Sequence, residues 1–152
     1  MSLSFIVLLS SFIKPALAVD CTAVEVCDMR GGGVCRISSE KVLNRNCELD
    51  LSDYLVQITS DGALLTKSEA DDATTLLCSG LLIDEGSSLT AVCDDSSESC
   101  GNIEIVSSGT VTNNGTIALT GGSTGGFLTI TSEADVYLGG DALDLYGRGG
   151  SA

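Results

Sequence analysis

The chain has 152 residues, enough for one domain, with 18 Gly, one Pro, no Trp and no His. So much Gly excludes a helical bundle, and the absent imidazole excludes Ser-His-Asp and Cys-His nucleophile systems. The net charge of −14, from 7 basic and 21 acidic residues, argues against nucleic acid and anionic membranes as partners, because phosphate binding needs clustered Lys and Arg.

Residues 1–18 read as a signal peptide. Phe5 to Leu9 with Phe12-Ile13 form an apolar run, and Ala16-Leu17-Ala18 supplies the small side chains that signal peptidase accepts. Cleavage is expected between Ala18 and Val19. The run is too short to span a bilayer as a helix, so no transmembrane segment is expected after signal removal. No Lys or Arg precedes it, which leaves a buried amino-terminal strand as the rival reading.

Residues 19–46 read as a cysteine-rich cap. Cys21, Cys27, Cys35 and Cys47 fall close together, and Cys78, Cys93 and Cys100 follow. A secretion signal with this density implies disulfides, and the absence of C-x-x-C argues against zinc. Four cysteines allow three pairings, which spacing does not decide. Cys93 and Cys100 flank the polar loop Asp94 to Ser99 and are the preferred single pair. Cys78, in the apolar run Leu76-Leu77-Cys78, is expected to be a buried free thiol. Gly31-Gly32-Gly33 reads as a break in regular structure. The rival reading of this segment is a separate small binding module.

Residues 47–147 carry a repeat. Ile103-Glu104-Ile105, Val111, Gly115 and Ile117 are matched by Leu128-Thr129-Ile130, Val136, Gly140 and Leu143, with 136−111 = 25 positions between the two valines. Upstream, Leu49-Asp50-Leu51, Ile58, Gly62 and Leu64 follow the pattern, as do Leu76-Leu77-Cys78, Ile83, Gly86 and Leu89. First-strand positions then step through Leu49, Leu76, Ile103 and Leu128, at intervals of 27, 27 and 25. Alternation points Ile103, Ile105, Leu128, Ile130, Leu143 and Leu145 inward, and Glu104, Thr112, Thr129 and Asp144 outward. The glycines are read as positive-φ turn positions. A period near 25 has no reason in an antiparallel sandwich. It suits three short strands per coil, and hence an all-β, right-handed parallel β-helix of about four coils. Residues 148–152 form a Gly-rich tail.

The run Gly101 to Ile105, Gly109 to Ile117, Gly121-Gly122 and Gly125 to Ile130 resembles the coils of secreted right-handed β-helix proteins. It is similar to the repeats of filamentous-haemagglutinin-like and autotransporter-passenger-like surface proteins. The resemblance spans about Cys47 to Gly150. It implies a secreted or surface-displayed, non-enzymatic structural or adhesin-like protein, of which this chain would be an amino-terminal portion. The implied partners are carbohydrate, or another β-helix segment covering the open carboxy-terminal end.

β-Helices also carry polysaccharide lyases and glycosidases. Asp135, Asp141 and Asp144 are the carboxylates that could form a catalytic pair, but no Lys or Arg accompanies them, and no catalytic residue is assigned. No cofactor is expected. Weak Ca2+ binding by Asp94 to Glu98 or Glu69 to Asp72 is the metal reading, set against plain solvated loops. Asn114-Gly115-Thr116 is a glycosylation sequon, although Asn114-Gly115 also suits a left-handed turn.

Overall fold

The computed structural model describes residues 21–68, 72–93, 101–120, 126–139 and 143–144. The signal peptide with its Ala18/Val19 cleavage point and the tail 148–152 lie outside the described residues. A one-turn helix, α1 (Ala23–Val26), and a hairpin of β1 (Met29–Gly31) and β2 (Val34–Ile37) open the described chain. There follow β3 (Glu40–Leu43), β4 (Glu48–Ile58), β5 (Ala63–Ser68), β6 (Ala73–Ile83) and β7 (Ser88–Cys93). The rest are β8 (Asn102–Ser107), β9 (Val111–Asn113), β10 (Thr116–Thr120), β11 (Leu128–Ser132), β12 (Val136–Leu138) and β13 (Leu143–Asp144).

These strands make a parallel β-solenoid. The larger sheet runs β1-β2-β4-β6-β8-β11, with β9 and β12 continuing it past a bend, and the smaller runs β3-β5-β7-β10-β13. Among the described residues only the β1–β2 pairing is antiparallel. Each coil after the first crosses the larger sheet on two faces and the smaller on a third. The bend between the two faces is built by short polar side chains. Asp50 Oδ1 accepts from the Ser52 amide at 3.0 Å and from its hydroxyl at 2.7 Å. Ser107 and Ser132 both donate to the Gly109 carbonyl, at 2.9 and 2.8 Å. Such local bonds replace ladder partners where the strand direction changes.

The core is a set of columns, one residue per coil. Leu49 lies beside Leu76, Leu76 beside Ile105, and Ile105 beside Ile130. Leu64, Leu89, Ile117 and Leu143 form another column, and Val56, Leu81, Val111 and Val136 a third. Most members are fully buried, each contributing about 2 kcal/mol by removal from water. Glu104 and Thr129 point outward, as alternation requires.

Three sequence expectations need correction. Leu76 pairs with Ile105, and Ile103 pairs with Thr74, so the step there is 105−76 = 29 positions, two more than expected. The loop after β7 is the cause. Val92 to Ile103 spans 103−92 = 11 positions, whereas the equivalent Lys67 to Thr74 spans 74−67 = 7. Second, the parallel stack begins at Val34: β2 pairs with β4 and β3 with β5, so a boundary at residue 46 falls inside the solenoid. Gly32 and Gly33 do not break structure but turn the β1–β2 hairpin, at φ of +60° and +74°, the geometry such two-residue turns favour.

Third, most repeat glycines are not positive-φ turns. Of Gly62, Gly86 and Gly115, only Gly86 has positive φ. At Gly115 a Cβ would stand 2.5 Å from the carbonyl oxygens of Asp84 and Ser87 in the preceding coil. The constraint is close stacking of one turn on the next. Asn114 does not adopt positive φ either.

Candidate functional site

The amino-terminal end is closed by covalent and ionic links. Cys21 bonds to Cys47 and Cys27 to Cys35, with Cα–Cα distances of 5.8 and 5.3 Å. These pairs fix Val26 of α1 over the first coil, where it is fully buried. Asp28 clasps the following strands: its carboxylate accepts from the Ser38 amide at 2.7 Å and the Ser39 hydroxyl at 2.9 Å, and pairs with Lys41. Burial pushes the Asp28 carboxyl up, but the Lys41 ammonium and the Ser38 and Ser39 bonds outweigh it, holding it at about 2 against an ordinary 3.8.

Cys78 is unpaired and buried. Burial pushes its thiol up, against hydrogen bonds from Ser107 and Gly80 that pull it down. Cys93 contributes its backbone to β7; the expected Cys93–Cys100 pairing and the loop between them lie outside the described residues.

The three aspartates are not brought into one described site. Asp135 borders β12 on the larger sheet and accepts from the Tyr137 hydroxyl at 3.1 Å, whereas Asp144 lies in β13 of the smaller sheet. Asp141 lies outside the described residues. Of the acidic loops weighed for calcium, Asp72 is described, and it accepts from the Asn46 side-chain amide at 2.7 Å. Among the described residues no group of three or more Cys, Asp or Glu is placed to hold a metal ion. Asn114 is exposed, so its sequon is accessible, while Asn113 is buried and its Oδ1 accepts from the Gly115 amide at 3.2 Å.

Sequence reading missed the asparagines that join coils at the start of the first face. Asn46 Oδ1 accepts from the Ala73 amide at 3.2 Å, and Asn102 Oδ1 from the Phe127 amide at 3.1 Å, each one coil on. The available signal was Asn just ahead of an alternating apolar segment, Asn46 before Leu49 and Asn102 before Ile103.

The last described coil differs from those beneath it. Ile103, Ile105 and Val111 are at most 1% exposed, yet Val136 and Leu138, also inward by register, are 42% and 50% exposed. Phe127, just ahead of β11, is 76% exposed. Among the described residues no further strand pairs with β11 or β12, so this coil sets exposed apolar side chains beside strand edges. No described helix is long and apolar enough to cross a membrane.

A scan against protein-family models and searches of curated proteins and of solved structures found no match to this chain. Its class therefore rests on architecture: a parallel β-solenoid with two disulfides near its amino terminus and with Val136 and Leu138 exposed on its last described coil.

Proposed function

We propose that this protein is a non-enzymatic, secreted or cell-surface structural module, an adhesin-like shaft whose last coil is continued by further β structure. The observation that supports this most is the contrast between the fully buried Val111 and the exposed Val136 directly above it in register. Exposed apolar end layers of solenoids are covered in stable assemblies, and open strand edges pair readily. The two disulfides are compatible with an oxidising, extracytoplasmic compartment.

Light scattering on the exported, disulfide-bonded protein tests the reading. The wild type should associate through the end layer, and Val136→Lys/Leu138→Lys should be monomeric with an unchanged melting temperature. A wild type that is monomeric alone and in extracts of its native cells would overturn it. The alternative, a carbohydrate-active β-helix enzyme or its remnant, would replace it if Asp141→Asn/Asp144→Asn abolished turnover of a polysaccharide.

A further inference from the structure

An open cleft of about 400 Å³ lies on the outer face of β1, β2 and β4. Register sets Met29 beside Arg36, Arg36 beside Gln57, and Val34 beside Leu55. Met29, Val34 and Leu55 form an apolar floor, of which Met29 is 60% and Leu55 38% exposed. Arg30, Arg36 and Gln57 border it. Gln57 is held in place, donating to Asp84 Oδ2 at 2.9 Å and accepting from Arg36 Nη2 at 3.4 Å. That bond uses one of five guanidinium N–H groups.

The electrostatics run against the rest of the surface. The chain carries 21 acidic and only 7 basic residues, yet Arg36 and no carboxylate stand on the outer face of this cleft, with Arg30, the register partner of buried Cys35, at its rim. Among the described residues neither arginine is in an ion pair, whereas Lys41 has Asp28. Arginine forks match carboxylates in two-point geometry. We infer that this cleft binds the carboxylate of a terminal acidic sugar. The apolar floor takes the C–H face of the ring, and the volume, near the lower end for small-ligand sites, admits one or two rings. A long polyanion is disfavoured because the net charge of −14 repels it.

The source of such a sugar rests on the surface-module reading, but the binding does not. The test is a two-dimensional amide NMR titration of the full disulfide-bonded protein with methyl glucuronide, methyl glucoside and a short Asp-rich peptide. Methyl glucuronide should shift the Met29–Gly31, Arg36 and Gln57 signals saturably. Methyl glucoside should bind at least about tenfold more weakly, and Arg36→Gln should lose about tenfold for the glucuronide with an otherwise unchanged spectrum. No saturable shift at tens of millimolar, equal binding of the neutral sugar, or response to the peptide alone would each overturn the inference. Failure here leaves the end-layer reading standing, and a monomeric solenoid would leave the cleft standing.

Discussion

Gly62 has no room for a side chain because the carbonyl oxygen of Ile37, one coil earlier, occupies the space a Cβ would take. That oxygen cannot easily retreat, since it accepts from the Thr59 amide at 2.9 Å and from the Thr59 hydroxyl at 3.3 Å. Gly62→Ala should therefore destabilise by about 1–3 kcal/mol, the usual range for overpacking. Gly31→Ala, where nothing lies within 4 Å, should stay within about 0.5 kcal/mol of wild type. Urea denaturation of both variants checks the pair.

The two disulfides should differ in worth. Loop closure favours the longer span, 26 residues for Cys21–Cys47 against 8 for Cys27–Cys35. Cys21→Ser/Cys47→Ser should cost about 3.5 kcal/mol and Cys27→Ser/Cys35→Ser about 2.5 kcal/mol by the chain-entropy relation. Equilibrium denaturation of the two double variants gives the ranking.

Acid should weaken the cap through Asp28. Its folded carboxyl lies at about 2, below the ordinary 3.8, so the native state favours the ionised form. The stabilisation is complete above the unfolded value and is lost as pH falls from about 4 towards 2. Asp28→Asn should flatten the stability profile in that window. Denaturation curves at stepped pH, with carbon NMR of the carboxyl, read both effects.

Cys78 should resist thiol reagents in the native state. Its sulfur is buried and its thiol is pushed up, so little thiolate forms at neutral pH. Alkylation of Cys78, followed by peptide mass, should track unfolding, and urea should speed it sharply.

Loss of the asparagine links should be milder than loss of a repeat glycine. Asn102→Ala leaves the Phe127 amide without its side-chain acceptor and should cost about 1 kcal/mol. Thermal melts against wild type measure this.

Much of the solenoid is legible in the sequence, because alternation and period report directly on which residues face inward. Ile103, Ile105, Val111 and Ile117 are buried as that logic requires. Register is less legible. Ile103 and Ile105 both alternate correctly, and only the length of the loop before them decides which one lies above Leu76. The first coil was hidden because β2 and β3 are four residues each, too short to display a period and interrupted by the hairpin glycines. Disulfide connectivity, the Asp28 clasp and the Arg30–Arg36 cleft depend on which segments fold back together, which spacing along the chain does not encode.

The in-register columns carry an implication for how such a chain changes length. Leu65 and Thr90 occupy equivalent places on successive coils. Excising residues 65–89 would join Leu64 to Thr90, set Thr90 in the place of Leu65, and move every later residue down one coil on its own face. Insertion of one such unit should be equally quiet. Genes for this architecture can therefore grow or shrink in whole coils, keeping both ends of the molecule while altering only the distance between them.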